Sequence, residues 1–422
     1  MLAAGLGTRL RPLTQRLPKC LVPIAGRPLL DYWIDQLIAA GISEVLINTH
    51  HLPEQVRSYM AQVNAHRPIH LIETYEPQLL GSAGTLAANP EFAADAEQLM
   101  VIYADNYSTV NLSDFLAFHQ QHPDPVTMLL FHTPNPKACG IAELDEAQRI
   151  IQFEEKPQQP RTDLANAGVY LFDQALYQQI IALNAFDLGF DVLPQLQGQM
   201  RGWVWNGYHR DVGTYDTFLQ AQRDAVEIQY SSRFAQGQPA VFLDRDGTII
   251  EQIHYLSRPE QVQLIPGAAQ AIYQLQQAGL VCVVVSNQST IAQGIISEAD
   301  LATITQVLVE QLAEFNVQLA AFYHCPEVSV AKDRTTIDHY DRKPGPGMLF
   351  KAAEALQLDL TRSWMIGDML SDVLAGYYAH CQGSLLVATG KGLEGQVLPK
   401  HLGSIEQVPD LASAAQLILN HC

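Results

Sequence analysis

The feature that most constrains the fold is a repeated alternation of short apolar runs with segments of helical period. In the first half of the chain the apolar runs read SEVLINTHH, LMVIYADN, VTMLLFHT and NAGVYLF. Runs of this kind, separated by helical stretches, are typical of βαβ units in a mostly parallel sheet with helices on both faces. The alternation restarts at AVFLD and continues through LVCVVVSN and SWMIGD. The sequence therefore predicts an α/β protein with two doubly wound, Rossmann-like domains.

A polar segment that contains Gly237 and Pro239 separates the two series and reads EIQYSSRFAQGQP. The chain has 422 residues, which exceeds what one hydrophobic core usually covers. We therefore expect a first domain at residues 1–228, a linker at 229–238, a second domain at 239–395 and a C-terminal tail at 396–422.

Charge and composition exclude several classes of function. The formal net charge of -19 disfavours non-specific binding to nucleic acid, because such binding requires Lys and Arg to neutralise phosphates. The sequence has neither a long apolar run nor a signal pattern at its start, so we expect no contact with a membrane. The six cysteines are scattered without a CxxC pair. We predict a cytoplasmic protein with reduced thiols.

Two aspartates end the first strand of the second series, in FLDRDGTI. Asp244 and Asp246 stand two residues apart at the carboxyl end of a strand, where open α/β sheets bind ligands. One carboxylate can attack phosphorus while the other moves a proton, and both can hold a divalent cation. An acidic turn is the alternative, because Asp and Gly are common turn residues.

Three later segments, VVVSN, DRKPGPGM and MIGDMLSD, supply further polar side chains. They are hydrogen-bond donors and cations for phosphate oxygens, and carboxylates of the kind that Mg²⁺ prefers. These residues are Ser286, Asn287, Arg342, Lys343, Asp368 and Asp372. The order of the four segments favours a phosphate-handling site over an acidic turn.

The ordered set resembles the haloacid dehalogenase superfamily over residues 240–392. The resemblance implies that Asp244 is a nucleophile that becomes a phosphoaspartate and that Asp246 is the general acid and then base. It also implies that Ser286 holds the phosphoryl group, Lys343 neutralises it and Asp368 completes a Mg²⁺ site.

Within that superfamily, DRDGTI, SNQSTIAQG and RKPGPGM are similar to the branch that dephosphorylates D-glycero-D-manno-heptose 1,7-bisphosphate at C7, whose near relatives act on histidinol phosphate. The resemblance implies that Arg342 helps to recognise the substrate and that Asp372 is a supporting carboxylate. This branch usually carries a zinc loop, CxH…CxC, before RKP. The corresponding residues here are Cys325, Glu327, His339 and Asp341. Structural zinc sites favour Cys and His, so the exchange favours a polar loop without metal over a zinc site.

The chain opens with a glycine-rich loop, LAAGLGTRLRPLT. Gly5 and Gly7 let backbone N–H groups approach a triphosphate closely, and Arg9 can neutralise it. The loop matches neither the Walker pattern nor the GxGxxG fingerprint. Later segments add a lysine, a small-residue turn, two separate aspartates and a Glu-Lys pair followed by an asparagine. These residues are Lys19, Gly81, Gly84, Asp105, Asp211, Glu155, Lys156 and Asn166.

This order resembles the sugar-1-phosphate nucleotidyltransferases over residues 2–226, and among them the mannose and heptose guanylyltransferases. The resemblance implies a triphosphate site, a base site and a sugar-phosphate site. Their members are Gly5, Gly7, Thr8 and Arg9 for the triphosphate, Gly81 and Gly84 for the base, and Glu155, Lys156 and Asn166 for the sugar phosphate. Asp105 and Asp211 would bind Mg²⁺, and Lys19 with Arg9 would stabilise charge while the sugar phosphate attacks the α-phosphorus.

Only Met1 and Leu2 precede the glycine-rich loop, whereas members of this family usually begin with several apolar residues that form a central strand. A shortened central strand leaves backbone groups of both neighbours unpaired. The explanations are a start codon assigned too far downstream, a tolerated short strand or a decayed domain. The intact later motifs favour the first of the three.

The two resemblances imply consecutive steps on phosphorylated sugars. We predict a bifunctional enzyme that removes the C7 phosphate of heptose 1,7-bisphosphate and couples heptose 1-phosphate to GTP, with Mg²⁺ in both domains. A second interpretation pairs a mannose-1-phosphate guanylyltransferase with a histidinol-phosphate or other small-phosphate phosphatase. A third makes the first domain a non-catalytic binding or dimerisation module. The choice of GTP is an analogy at the level of the fold.

Overall fold

The computed structural model describes residues 1–229, 237–331, 333–393, 398–399 and 402–421. The chain divides into two compact units. The first comprises Met1–Leu10, Thr14–Val22 and Arg27–Phe218, and the second comprises Arg11–Leu13, Pro23–Gly26 and the described residues from Leu219 onward. The predicted linker at 229–238 falls largely on residues 230–236, which lie outside the described residues, so the predicted domain boundaries stay a prediction.

Strands and helices alternate along both halves of the chain. The strands up to residue 211 are β1 (Pro23–Ile24), β2 (Arg27–Pro28), β3 (Glu44–Thr49), β4 (His70–Tyr75), β5 (Gln98–Ile102), β6 (Asn106–Ser108), β7 (Val126–His132), β8 (Gly140–Leu144), β9 (Ile150–Glu155), β10 (Leu164–Asp173), β11 (Met200–Trp205) and β12 (His209–Asp211). The helices up to residue 229 are α1 (Leu29–Ala39), α2 (Pro53–His66), α3 (Gly81–Ala87), α4 (Leu112–His119), α5 (Gln174–Ala182) and α6 (Tyr215–Gln229).

The second half continues the alternation. Its strands are β13 (Ala240–Leu243), β14 (Val281–Asn287), β15 (Ala321–Cys325), β16 (Trp364–Gly367), β17 (Gly383–Val387) and β18 (Glu406–Val408). Its helices are α7 (Ala268–Gln277), α8 (Ser289–Ala292), α9 (Glu298–Ala313), α10 (Gly347–Leu356), α11 (Leu370–Tyr378) and α12 (Leu411–Leu419). Among the described residues, no helix is both long enough and apolar enough to cross a membrane.

The first unit is built on a mixed sheet with the order β11-β7-β10-β8-β9, to which β5 adds by pairing with β10. The long strand β10 runs antiparallel to β5, β7 and β8, while β11 runs parallel to β7. A separate parallel pair joins β3 and β4. The predicted α/β class is confirmed, and the antiparallel course of β10 makes this sheet mixed rather than mostly parallel.

The first two residues of the chain lie between β3 and β5. The Leu2 N–H donates to the Ile102 carbonyl at 2.8 Å, and the Ala104 N–H donates to the Leu2 carbonyl at 3.0 Å. On the other side, the Met1 ammonium donates to the Leu46 carbonyl at 2.6 Å. Burial lowers the pKa of this ammonium to about 5. Met1 and Leu2 therefore link the β3–β4 pair to the larger sheet by main-chain hydrogen bonds.

A cavity of about 360 Å³ continues from Met1 between the same two strands. Its lining includes Glu44, Val45 and Leu46 from β3 and all of β5, and Ala93 and Ala96 add small apolar side chains. Backbone edges of two strands thus border a mostly apolar space ahead of Met1.

The second unit contains a wholly parallel six-stranded sheet in the order β15-β14-β13-β16-β17-β18. All four residues of β13 are buried, and this strand lies between β14 and β16. The strand order therefore changes direction at β13, which is where open α/β sheets form a ligand crevice.

The predicted C-terminal tail spans 396–422, and its described residues 402–421 contribute to this second unit. Strand β18 pairs in parallel with β17, and α12 buries Leu411, Ala414, Ala415 and Ile418 in the same core as β13 and β16. The apolar spacing in DLASAAQLILN is that of an amphipathic helix, but its main partner is helix α7, which is far away in sequence.

Candidate active sites

Three buried carboxylates converge beyond the carboxyl ends of β13 and β16. Asp244, Asp368 and Asp372 each place an oxygen within 4.8 Å of the others, and no other such group of three possible metal ligands occurs among the described residues. Asp244 directly follows β13 and Asp368 directly follows β16, so two neighbouring parallel strands deliver them to one edge. Asp368 Oδ1 is buried and has no hydrogen-bond partner in the described part of the chain. These oxygens fit a hard divalent cation such as Mg²⁺.

Lys343 supplies a positive charge inside this cluster. Its Nζ lies 2.7 Å from Asp244 Oδ1 and 2.7 Å from Asp372 Oδ1, and it donates to the Val285 carbonyl at 2.7 Å. Burial opposes the charged form of Lys343, but Asp244 and Asp372 outweigh it and raise its pKa to about 12. The sequence-predicted cation is therefore in direct contact with the predicted nucleophile.

Burial dominates the titration of the carboxylates. It raises the pKa of Asp244, Lys343 opposes that rise, and the neighbouring Asp372 and Asp368 add to it. Burial, followed by the charge of Asp372, also raises the pKa of Asp368 to about 6. Like charges that share a buried site disfavour joint ionisation, so further positive charge favours the ionised form of Asp244.

Asp246 is held by two residues that the sequence analysis missed. The Arg245 Nη2 lies 2.8 Å from Asp246 Oδ2, and Gln288 Nε2 donates to the same oxygen at 3.1 Å. Gln288 Nε2 also lies 2.7 Å from Ser286 Oγ. Arg245 is only 1% exposed, so this ion pair is largely removed from water. Both residues stand next to predicted site residues in sequence, and that proximity was the available signal.

Asn287 contacts the backbone of the segment that carries Lys343. Its Nδ2 donates to the Lys343 carbonyl at 2.9 Å, and the Lys343 N–H donates to Asn287 Oδ1 at 3.0 Å. Both ends of the Asn287 amide are therefore bonded to the Lys343 backbone and help to position it. The predicted contact of Asn287 with substrate would be a further role. The neighbouring Arg342 donates to the Glu327 carbonyl at 2.8 Å.

The four residues that correspond to a zinc loop are only partly brought together. Cys325 Sγ lies 3.7 Å from His339 Nδ1, and burial raises the pKa of the Cys325 thiol to about 11. The Asp341 carboxylate lies 2.6 Å from the ammonium of Lys351. Within the described residues, Cys325, Glu327, His339 and Asp341 do not form a three-ligand group. That the loop folds without zinc stays a prediction.

The glycine-rich loop of the first unit is shaped by Gly7. Its φ of +60° belongs to the left-handed region, and a Cβ there would lie 2.9 Å from Thr14 Cγ2 and 3.3 Å from Lys19 Cβ. Thr14 Oγ1 donates to the Gly7 carbonyl at 2.7 Å and closes the turn. A Cβ on Gly5 would meet nothing within 4 Å, so its backbone stays open to a ligand.

Lys19 lies between the two predicted metal ligands of the first unit. Its Nζ is 2.6 Å from Asp105 Oδ2 and 3.5 Å from Asp211 Oδ1. The antiparallel pair β6–β12 aligns the residues beside these carboxylates. Burial raises the pKa of Asp211 and Asp105 adds to the rise, whereas Lys19 and then Arg9 lower it. Two converging carboxylates fit the coordination of a divalent cation by oxygen.

A cavity of about 320 Å³ joins the glycine-rich loop to the predicted base-binding turn. Its lining includes residues of the loop, Lys19, Asp105 and the start of α3. It also includes Asn48 and Glu76, which the sequence analysis missed. Asn48 lies near the carboxyl end of β3 and Glu76 directly follows β4, so the sequence offered only the weak signal of polar residues near strand ends.

Asn48 and Glu76 tie the two walls of this cavity together. Asn48 Oδ1 accepts from the Ala3 N–H at 2.6 Å, and Asn48 Nδ2 donates to Glu76 Oε1 at 2.9 Å. The other carboxylate oxygen of Glu76 accepts from the Leu80 N–H at 3.1 Å, and Thr85 Oγ1 donates to Glu76 Oε1 at 2.5 Å. The phosphate loop and α3 are thereby held by one buried hydrogen-bond network.

The predicted sugar-phosphate residues lie on β9, β10 and the turn between them. Glu155 Oε1 is 3.6 Å from Lys156 Nζ, and burial raises the pKa of Glu155. Asn166 Nδ2 donates to the Tyr170 hydroxyl at 2.6 Å, and the Gly168 N–H donates to Asn166 Oδ1 at 2.9 Å. The Asn166 amide is thus already oriented by the bulge of β10.

Comparison with known proteins assigns both halves. A nucleotidyl transferase family model matches residues 1–227, and a HAD-hydrolase-like model matches residues 340–414. A mannose-1-phosphate guanylyltransferase of Mycobacterium tuberculosis is 31% identical over 254 residues, which cover 59% of this chain and 70% of that protein.

The second half has its own relatives. A D-glycero-beta-D-manno-heptose-1,7-bisphosphate 7-phosphatase of Pasteurella multocida is 40% identical over 152 residues, which cover 36% of this chain and 83% of that protein. A D,D-heptose 1.7-bisphosphate phosphatase structure from B. bronchiseptica, complexed with magnesium and phosphate, is 30% identical, with a TM-score of 0.39 and coverage of 44% of this chain and 99% of that one. The two predicted enzyme classes are confirmed. The chain belongs to the nucleotidyl transferase family through residues 1–227 and carries after them a HAD-like phosphatase region that matches the heptose bisphosphate phosphatases.

Proposed function

We propose that this chain catalyses two consecutive steps of nucleotide-activated heptose synthesis. The second unit removes the C7 phosphate of D-glycero-D-manno-heptose 1,7-bisphosphate, and the first unit couples the resulting heptose 1-phosphate to GTP with release of pyrophosphate. The main support for the phosphatase step is the contact of Lys343 with Asp244 in the crevice beside β13. The coupling follows because the product of one unit is the kind of substrate that the other unit takes.

In the phosphatase step, Asp244 forms a bond to phosphorus as the bond from phosphorus to the C7 oxygen breaks. Asp246 donates a proton to that oxygen, and Lys343 offsets charge on the phosphoryl group. Asp246 then accepts a proton from water, which attacks the phosphoaspartate and releases phosphate and Asp244. The contacts of Asp246 with Arg245 and Gln288 hold its carboxylate near Ser286, the residue proposed to bind the phosphoryl group.

Both sites have residues that fit Mg²⁺. In the phosphatase unit Asp244, Asp368 and Asp372 would hold it, with Asp246 as the further predicted ligand, and in the transferase unit Asp105 and Asp211 would do so. When bound, the cation offsets negative charge on the phosphate oxygens. In the transferase unit, Lys19 and Arg9 orient the triphosphate beside the glycine-rich loop, and Glu155, Lys156 and Asn166 hold the sugar phosphate.

Glu76 supports GTP as the nucleotide. Its carboxylate lines the same cavity as the phosphate loop and Gly81. Oε1 already accepts from Asn48 and Thr85, whereas Oε2 accepts from the Leu80 N–H and retains an acceptor position for a donor on the base. Guanine presents two adjacent donors, N1–H and the N2 amino group, whereas uracil and thymine present one donor between two acceptors. A site that pairs buried hydrogen-bond groups discriminates strongly against a base that leaves them unpaired. Glu76→Gln is expected to lower the preference for GTP over UTP or dTTP by about 10-fold or more.

Two assays test the proposed reactions on the purified full chain with Mg²⁺. Phosphate should be released from heptose 1,7-bisphosphate, and pyrophosphate should appear with GTP and heptose 1-phosphate. The relative named as a mannose-1-phosphate guanylyltransferase makes mannose 1-phosphate the necessary competitor. Equal kcat/KM for mannose 1-phosphate would refute the heptose assignment, and preferential hydrolysis of histidinol phosphate would refute the assigned phosphatase substrate. Nucleotide binding without turnover would favour the non-catalytic role for the first unit.

A further inference from the structure

Phe186 is a large apolar side chain that is exposed to solvent beside the nucleotide cavity. It is 61% exposed, the most of any large hydrophobic side chain among the described residues, and it belongs to the lining of the 320 Å³ cavity. We propose that the Phe186 ring stacks on the purine base of the nucleoside triphosphate. This inference rests on the proposed transferase function and adds to it the residue that recognises the flat face of the base.

The backbone around Phe186 is fixed to the first turn of α3. The Ala83 N–H donates to the Phe186 carbonyl at 3.0 Å, and the Phe186 N–H donates to Asp191 Oδ2 at 3.0 Å. Next to it, Ser82 Oγ lies 3.1 Å from Asp187 Oδ2. The ring therefore stands on a backbone anchored at both of its peptide groups, which reduces the ordering needed when a ligand covers it.

Gly81 brings the ring close to the predicted base-binding turn. A Cβ on Gly81 would lie 2.2 Å from the Phe186 carbonyl oxygen and 2.9 Å from the ring atoms Cγ and Cδ1. The φ of Gly81 is +77°, so both the conformation and the space exclude a side chain there. The absence of a side chain at Gly81 thus lets the aromatic ring approach the backbone that would bind the base edge.

The cavity that Phe186 lines belongs to the nucleotide rather than to the sugar phosphate. Its lining contains loop residues from Ala3 to Gly5, whereas the sugar-phosphate candidates Glu155, Lys156 and Asn166 lie outside it. Glu76 Oε2 in the same lining accepts from the Leu80 N–H and retains an acceptor position for the edge of a base, which leaves the face of the base for an aromatic ring. Stacking of a base on an aromatic side chain contributes about 1–3 kcal/mol, which corresponds to about 5-fold to 150-fold in affinity.

The test is equilibrium binding to the full chain with Mg²⁺ and without sugar phosphate, using GTP and inorganic tripolyphosphate as the two probes. Phe186→Leu keeps an apolar side chain but removes the ring, so the Kd for GTP should rise by about 5-fold or more. The Kd for tripolyphosphate should be unchanged, because this probe has no base. Phe186→Trp should bind GTP at least as tightly as the unaltered chain. Phe190→Leu is the matched control, since Phe190 is 57% exposed and lies outside the cavity lining, and its GTP affinity should not change.

The possible outcomes separate this inference from the function on which it rests. If the unaltered chain binds GTP but Phe186→Leu binds it equally well, the stacking role is wrong and the transferase function stands. Equal weakening of GTP and tripolyphosphate would also overturn the inference, because it would reveal a general distortion of the phosphate loop. If the unaltered chain binds neither probe and forms no pyrophosphate, the proposed transferase function fails together with the stacking role.

Discussion

The ammonium of Lys343 lies 2.7 Å from the carboxylate of Asp244, and both side chains are almost completely buried. Asp372 shares the same ammonium at the same distance. One cation therefore faces two carboxylates directly, with Asp368 close by. Because a buried charge without a partner is costly, this pairing couples the stability of the second unit to the charge balance of its site.

Lys343→Met is expected to destabilise the second unit in the absence of Mg²⁺. The substitution leaves two buried carboxylates without their cation, which costs about 3–5 kcal/mol in the free energy of unfolding. Urea unfolding in EDTA measures this loss, and added Mg²⁺ should recover part of it. The double variant Lys343→Met with Asp372→Asn removes one of the unpaired charges and should lose less than the single variant. A single variant as stable as the unaltered chain in EDTA would contradict the argument.

Asp244→Asn should abolish phosphate release from heptose 1,7-bisphosphate, by about 10³-fold or more in kcat, because an amide is a far weaker nucleophile than a carboxylate. The same preparation should form pyrophosphate from GTP and heptose 1-phosphate at the unaltered rate, since Asp105 and Asp211 belong to the other unit. Mass spectrometry of the unaltered chain, quenched during turnover, should detect a phosphorylated Asp244. Retention of phosphatase activity by Asp244→Asn would exclude the nucleophilic role.

His209 is expected to make the first unit sensitive to acid. Burial lowers its pKa to about 4 from the ordinary value of 6.5, and its ring lies 4.5 Å from that of Phe131, centroid to centroid. The unfolded chain therefore binds more protons than the folded one between about pH 6.5 and pH 4. Its contribution to stability is fully present above this window and falls by up to about 3 kcal/mol as the pH decreases through it.

Urea unfolding of the first unit at several pH values from 7 to 4.5 measures this slope. His209→Phe keeps a ring beside Phe131 and should flatten the decline, whereas His70→Gln, a change at an exposed histidine, should leave it unchanged. The prediction fails if His209→Phe loses stability with falling pH as steeply as the unaltered chain does.

The cavity between β3 and β5 predicts the effect of adding residues ahead of Met1. Five alternating Val and Ile residues can pair with the backbone edges of both strands and fill much of the 360 Å³ of mostly apolar space. The extension also moves the ammonium out of its buried position beside Leu46. We expect the free energy of unfolding of the first unit to rise by about 2 kcal/mol or more. A Gly-Ser extension of equal length is the control, and a gain no larger than its gain would argue against strand pairing.

Asn48 holds both the phosphate loop and Glu76, so its substitution should weaken the binding of GTP. Asn48→Leu removes the acceptor for the Ala3 N–H and the donor to Glu76, so buried polar groups lose their partners on both sides. We expect the KM for GTP to rise by about 10-fold or more, with phosphatase kinetics unchanged in the other unit. Asn48→Asp retains the acceptor for the loop but sets a second carboxylate oxygen against Glu76 Oε1 in place of the donor, so it should not restore GTP binding, which steady-state kinetics on both activities will show.

Several properties could be read from local sequence because they depend on neighbours in the chain. The spacing of Asp244 and Asp246 after an apolar run was enough to place a carboxylate pair at a strand end. The α/β class likewise follows from the spacing of the apolar residues, because a helix buried on one face and a strand buried on both faces require different spacings. The assignments of Ser286, Lys343 and Asp368 depended on the order of short motifs, each of them weak alone.

Other properties were decided only by the tertiary structure, because they arise between residues that are distant in the chain. The direction of β10, the contribution of α12 to the second core and the network that joins Asn48 to Glu76 all depend on such contacts. A polar residue near a strand end has the same local pattern whether it faces solvent or a ligand cavity. The sequence alone predicted the fold class, the two enzyme families and the candidate carboxylates, whereas the packing of distant segments sets which polar groups are buried together and therefore what each site can hold.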